Sequence, residues 1–245
     1  AMATAGWEAA AAEAALGEVL DEPVPAPARL PGPKLYGAPH VLHAAGHAVG
    51  VQVALDRPPL VVFSQLLDAE ECAALIGAAR PRLARSLTVE THTGGEELNP
   101  DRTSEGMFFQ RGENAVVQRL EERIAALLDW PVDHGEGLQV LHYGPGAEYK
   151  PHYDYFDPAE AGTASMLRRG GQRVATLVMY LNTPQAGGAT VFPSLGLTVS
   201  PQRGNAVFFR YDRPRPDTRT LHGGAPVLAG EKWIATKWLR ERKFE

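Results

Sequence analysis

The stretch "EYKPHYDYFDP", residues 148–158, sets a histidine and a carboxylate one residue apart among tyrosines and prolines. In an extended strand the side chains of residues i and i+2 leave the same face of the backbone. An imidazole nitrogen of His152 and a carboxylate oxygen of Asp154 can then reach one point in space. A metal ion is the obvious use for such a point.

The surroundings favour strand. From about residue 136 the chain runs through "EGLQVLHYGPG", "QRVATLVMYLN", "GATVFP", "NAVFFRY", "TLHGGAPV" and "EKWIATKWLRE". These short β-rich runs are broken by Gly, Pro and Asn turns, with no room for helices between them. The expected fold is mainly β with flanking helices, a double-stranded β-helix of the jelly-roll type.

The flanking helices lie upstream. Asp68 followed by Glu71 forms a capping-box signal for "AEECAALIGAAR". In "NAVVQRLEERIAALL" the residues Val116, Val117, Leu120, Ile124, Leu127 and Leu128 make an apolar stripe at helical spacing. "PLVVFSQLL" and "ARSLTVETH" read as strands, and "TGGEELNPDRTSEG", residues 93–106, as a long exposed loop. Residues 7–21 read as an Ala/Glu-rich amphipathic helix, and residues 23–39, with six prolines, as an extended connector. Residues 1–40 therefore form an extension, and residues 41–245 the main domain.

Composition narrows the function. The 245 residues carry a formal net charge of −5, which argues against a nucleic-acid binder that grips phosphates. A single cysteine, Cys72, excludes an intramolecular disulfide and a cysteine-based zinc site. No apolar run is long enough to span a bilayer, and no secretory leader is evident. A cytoplasmic setting, without membrane or nucleic-acid partners, is the expectation.

A metal needs a third ligand beside His152 and Asp154. His40, His43 and His47 in "PHVLHAAGHAVG" lack the glutamate of a zinc hydrolase motif and read as surface or packing residues. His222 in "TLHGGAPVLAGEKW" ends a strand at two glycines, where a barrel mouth would lie, and is the best third ligand. Two histidines and one carboxylate make the facial triad of non-heme Fe(II) oxygenases, which leaves positions open for a co-substrate. Lys232 opens the strand "KWIATKW" and shares a face with Ile234, Thr236 and Trp238. A lysine inside a barrel needs an anion, and the far carboxylate of a 2-oxo acid would serve. Whether that face or the one carrying Lys237 points inward is left open by the Trp/Lys order.

Taken together, His152-x-Asp154, His222 and Lys232 in "GEKWIATKW", in this order, resemble the prolyl 4-hydroxylase group of Fe(II)/2-oxoglutarate-dependent dioxygenases. The likeness, to bacterial-type members and the catalytic domain of procollagen-proline 4-hydroxylases, spans roughly residues 60–242. It implies Fe(II) on His152, Asp154 and His222, with 2-oxoglutarate and O2 as co-substrates and ascorbate as reductant. It implies Lys232 and Tyr143 on the distal carboxylate of 2-oxoglutarate, with Thr176 a further candidate. Trp238 and Arg173 would stand at the catalytic centre, and Glu136, Arg102 and Ser104 would handle the substrate, the last two from a closing loop. The implied reaction is 4-hydroxylation of a peptidyl proline in a peptide or protein substrate. Hydroxylation of a free amino acid or small metabolite, and a non-catalytic jelly-roll binding module, are the alternatives. A homodimer is a further expectation, with the N-terminal helix as one possible contact.

Overall fold

The strand Lys232–Arg240 alternates between two buried environments, and the rest of the molecule is arranged around it. A computed structural model describes residues 30–85 and 103–245, together with the backbone of residues 88–89 and 96–97. The first strands are β1 (Val41–Ala44), β2 (His47–Asp56), β3 (Pro59–Ser64), β4 (Ala84–Arg85), β5 (Thr88–Val89), β6 (Glu96–Glu97) and β7 (Glu105–Phe109). The middle of the chain adds β8 (Leu138–Tyr143), β9 (Tyr149–His152), β10 (Arg173–Tyr180), β11 (Ala186–Gly187), β12 (Thr190–Phe192) and β13 (Leu197–Val199). The last are β14 (Ala206–Arg210), β15 (His222–Gly224), β16 (Val227–Ala229) and β17 (Lys232–Arg240). Helices α1 (Ala69–Ala79), α2 (Ala115–Leu128) and α3 (Thr163–Arg168) complete the described residues.

The major sheet has the order β1-β2-β3-β14-β10-β17-β8-β7-β4, antiparallel throughout. A minor sheet, β13-β12-β15-β9, carries two of the three expected metal ligands or their neighbours. Between the two sheets lies a core of Leu60, Leu141, Val178, Tyr180, Phe192, Val207, Phe209 and Ile234. On its other face the major sheet packs Leu138, Val140, Leu177, Met179, Trp233 and Ala235 against Leu75, Leu120, Ile124 and Leu128 of α1 and α2. Each such side chain, taken wholly out of water, contributes about 1.5–3 kcal/mol. This is the double-stranded β-helix with flanking helices that the sequence predicts.

Both long helices start where the sequence marks them. Asp68 Oδ1 accepts from Glu71 N at 2.7 Å, and Glu71 Oε2 accepts from Asp68 N at 3.2 Å. Asn114 caps α2 by accepting from Val116 N and Val117 N at 3.0 and 2.9 Å. The apolar stripe of α2 is buried, with Val116 at its edge.

His43 and His47 lie on the hairpin β1–β2, one exposed and one partly exposed, in line with their reading as surface or packing residues. Three other expectations need correction or fall outside the described residues. A helix does interrupt the β-rich half: α3 is short and bridges the connection from β9 to β10. The exposed loop is shorter than read, because Ser104 is wholly buried and β7 begins at Glu105. The helix expected at residues 7–21 and the start of the connector lie outside the described residues. The rest of the connector lies along the domain, with Gly32 N donating to Leu128 O at 2.8 Å and Leu30 and Leu35 packed on the core.

Candidate metal centre and cleft

His152 closes β9, His222 opens β15, and the pairing of these strands sets the two histidines opposite each other. Gly223 makes the approach feasible. A Cβ at that position would stand 2.8 Å from Tyr149 O and 3.0 Å from Pro151 N, closer than side-chain carbons approach backbone. Asp154 lies two residues beyond His152, in the bend that follows β9 and not in the strand itself, so the bend and not strand alternation brings its carboxylate to the histidines.

Backbone carbonyls aim both rings. His152 Nδ1 lies 2.9 Å from Lys150 O, and His222 Nδ1 lies 3.0 Å from Thr220 O. A carbonyl only accepts, so Nδ1 carries the proton in each ring and the Nε2 lone pair faces outward. His152 Nε2 is 3.5 Å from Asp154 Oδ1, and His222 Nε2 is 3.4 Å from Asp154 Oδ2. One donor atom from each of the three residues lies within 4.8 Å of the others, the only such group among the described residues. Phe209 and Phe192 hold the His222 ring at centroid distances of 4.5 and 5.9 Å, and Tyr149 stacks on His152 at 3.7 Å.

The charges suit a cation. Burial alone would raise the Asp154 carboxyl, but His222, His152 and Arg173 together hold it well below the usual carboxylate range. Burial pushes His222 down to about 4, against the pull of Asp154, so its ring is neutral and offers a lone pair at neutral pH. Two imidazole nitrogens and one carboxylate, converging from one side, fit a divalent iron with positions left open.

A cleft of about 450 Å³ leads from these residues along the inner face of β17, past Trp238, Thr236, Ile234 and Lys232. The structure thereby settles the register: Lys232 faces the cleft and Lys237 faces the helices. Lys232 is 2 % exposed, directly opposite Tyr143 in the β8–β17 pairing, with its Nζ 5.2 Å from the centre of that ring. No carboxylate pairs with it among the described residues, and burial pushes its ammonium down to about 8. A cation so placed calls for an anionic ligand. A dicarboxylate fits, with one end at the triad and the other at Lys232.

Other expected site residues take different positions. Thr176 does not face the distal end of the cleft; its Oγ1 donates to Asp154 Oδ2 at 2.7 Å. The hydroxyl that does line the cleft is that of Thr190, whose Oγ1 accepts from Tyr180 OH at 2.8 Å. Glu136 and Arg173 form a bidentate ion pair at 2.7 and 2.9 Å and lie outside the cleft wall. Arg173 also donates to Asp154 O at 3.3 Å and lies 4.0 Å from the Trp238 ring, so it braces two walls of the site. Its buried guanidinium is held protonated, because Glu136 and Asp154 outweigh the effect of burial. Ser104 is buried, just before β7, and Arg102 lies outside the described residues.

Sequence reasoning missed Thr190, Tyr149 and Tyr211. For Tyr211 a signal exists: Val207, Phe209 and Tyr211 alternate, which places all three on the inner face of one strand and its extension.

The comparisons with known proteins agree with this geometry. Residues 138–240 match the 2OG-Fe(II) oxygenase superfamily. Prolyl 4-hydroxylase 5 of Arabidopsis thaliana is 41% identical over 216 residues, spanning 80% of this chain and 72% of that protein. Prolyl 4-hydroxylase 1 of the same plant is 42% identical over 203 residues, spanning 76% of this chain and 70% of that protein. A solved viral collagen prolyl hydroxylase from Paramecium Bursaria Chlorella virus-1, in a 2OG complex, shares 31% identity at a TM-score of 0.56. That match covers 74% of this chain and 95% of the viral one. By sequence and by fold, the chain belongs to the prolyl 4-hydroxylase family of Fe(II)- and 2-oxoglutarate-dependent oxygenases.

Proposed function

We propose that this enzyme hydroxylates C4 of a prolyl residue within a peptide or protein, with ascorbate keeping its iron reduced. The observation that carries the reading is one cleft with His152, Asp154 and His222 at one end and, at the other, a buried Lys232 that no carboxylate pairs with among the described residues. Bound iron and 2-oxoglutarate supply the oxidising power: O2 is consumed, the keto acid becomes succinate and CO2, and one oxygen atom enters a C–H bond.

The chain's own residues position and shield. His152, Asp154 and His222 would hold the metal from one side, while Lys232 and Tyr143 would orient the keto acid by its far carboxylate. Ile234, Leu141 and Val178 line the cleft between these ends and keep water from the reacting groups. Trp238, braced by Arg173, walls the triad's end of the cleft, where the prolyl ring would sit.

The test is turnover with Fe(II), 2-oxoglutarate, ascorbate, O2 and a proline-rich peptide. Succinate should form in step with a one-oxygen mass gain on proline, and a peptide with alanine for proline should give neither. Iron-dependent turnover of free proline with none on any peptide would replace this reading with the small-metabolite one.

A further inference from the structure

The protein engages one of the two carboxylate oxygens of Asp154 through a chain of hydroxyls. Thr176 Oγ1 donates to Oδ2 at 2.7 Å, and the same Oγ1 lies 2.9 Å from Tyr211 OH. A threonine hydroxyl has one proton. Thr176 spends its own on Asp154, so Tyr211 must be the donor in the second bond. The chain therefore runs in one direction, Tyr211 to Thr176 to Asp154.

Its setting is rigid and dry. Thr176 is 0 % exposed and Tyr211 2 %. Thr176 stands opposite Phe209 in the β10–β14 pairing, and Tyr211 follows two residues later on the same face. The Tyr211 ring packs against Phe209 and Tyr155 at centroid distances of 6.3 and 6.1 Å. Neither residue lines the cleft, so neither is placed to touch 2-oxoglutarate or substrate. Each Asp154 oxygen faces one ligand ring, Oδ1 at 3.5 Å from His152 Nε2 and Oδ2 at 3.4 Å from His222 Nε2, but only Oδ1 accepts no hydroxyl or amide donor among the described residues.

We propose that Tyr211 and Thr176 are positioning residues, a two-hydroxyl relay that holds Oδ2 so that Asp154 presents Oδ1 to the metal. The proposal rests on the metal centre described above. Hydrogen bonds in such a chain polarise one another, which makes the Thr176 bond stronger than an isolated one. Groups that orient metal ligands from behind typically change metal affinity by about 10- to 100-fold when removed.

The experiment measures Mn(II) dissociation constants for the metal-free protein by competition with a chelating dye, with the visible spectrum of the Co(II) form as a second readout. Thr176→Val should weaken Mn(II) binding about 10- to 100-fold and alter the Co(II) spectrum, while Thr176→Ser, which keeps the hydroxyl, should stay near the parent. Tyr211→Phe retains the ring and its packing, and should weaken binding by a smaller factor. Because Tyr211 acts only through Thr176, adding Tyr211→Phe to Thr176→Val should weaken binding no further. Tyr211→Phe carries the test even where Thr176→Val fails to fold. Parental affinity in Tyr211→Phe, or an equal loss from it in both backgrounds, would overturn the relay. A parent that binds no metal would sink the metal centre and the relay together, whereas a metal-binding parent with unaltered variants sinks the relay alone.

Discussion

Replacing Lys232 with methionine should make the resting protein more stable and its 2-oxoglutarate site nearly useless. Methionine keeps a straight chain of similar volume and removes only the charge. In the resting protein that charge is a burden, since Lys232 is 2 % exposed, meets the Tyr143 ring and has no anion beside it among the described residues. Burial moves its ammonium from an ordinary 10.5 to about 8. At about 1.4 kcal/mol per pH unit, this displacement corresponds to roughly 3 kcal/mol against folding at neutral pH. The sign follows from proton counting. Between the two values the unfolded chain holds more protons than the folded one, so the parent gains stability as pH rises from about 8 toward 10.5. Lys232→Met has no such gain, so its advantage is complete below about pH 8 and gone near 10.5. Removing one partner of a buried charge pair costs about 2–5 kcal/mol of binding, so the KM for 2-oxoglutarate should rise at least about 30-fold. Thermal unfolding at pH 7 and pH 10, without metal or keto acid, reads the first effect, and initial rates against 2-oxoglutarate read the second. A variant less stable than the parent at pH 7, or one with an unchanged KM, would refute the reasoning.

Three further outcomes are expected. In the parent, the KM for 2-oxoglutarate should be flat below about pH 8 and climb about tenfold per pH unit above it, as Lys232 loses its proton; steady-state rates across that range check this. Gly223→Ala should push β15 away from β9, because its Cβ would stand 2.8 Å from Tyr149 O, and so weaken Mn(II) binding while leaving the helix-side core folded; near-ultraviolet dichroism and metal titration check this. Asp68→Ala should remove the cap of α1, lowering stability by about 1 kcal/mol in denaturant titrations with no change in turnover.

What the sequence disclosed and what it withheld divide along a physical line. His152 and Asp154 were legible because their two-residue spacing is local, although β9 ends at His152 and Asp154 sits in the bend after it, and the Asp68–Glu71 capping signal of α1 is equally local. The direction of β17 was not legible, because both of its faces are buried and apolar alternation carries no contrast there. Thr176 shows the limit from the other side. Strand alternation correctly gives the inner face of the sheet, but its partner is Asp154 because the turn after β9 folds back over β10, a tertiary matter. Glu136 and Arg173 likewise lie 37 residues apart and meet only through folding. The β1–β2 hairpin was not legible because "HAVGVQVALD" lies half-exposed along most of its length, so its alternation carries little apolar contrast. The loop was drawn too long because polar composition cannot tell an exposed loop from the buried approach to β7, a strand paired on both sides.

Lys232 and Lys237, five residues apart on β17 and on opposite faces, form an internal control for the whole reading. Both are 2 % exposed. Lys237 Nζ donates to Glu121 Oε1 at 2.5 Å and also to Glu136 O, so α2 delivers a carboxylate to the ammonium it faces. Burial still pushes Lys237 down, but Glu121 opposes the shift, whereas burial acts on Lys232 with nothing against it. The same fold that satisfies one buried lysine leaves its strand-mate unsatisfied. A buried ammonium without a counter-ion is expensive, and a core position offers many apolar residues that would fill it more cheaply. The arrangement is intelligible if the missing carboxylate arrives with a ligand. Gly224, two residues after His222, lies beside Lys232, where a Cβ would stand 3.7 Å from Nζ, so a short dicarboxylate suffices to reach from the ammonium to the metal ligands.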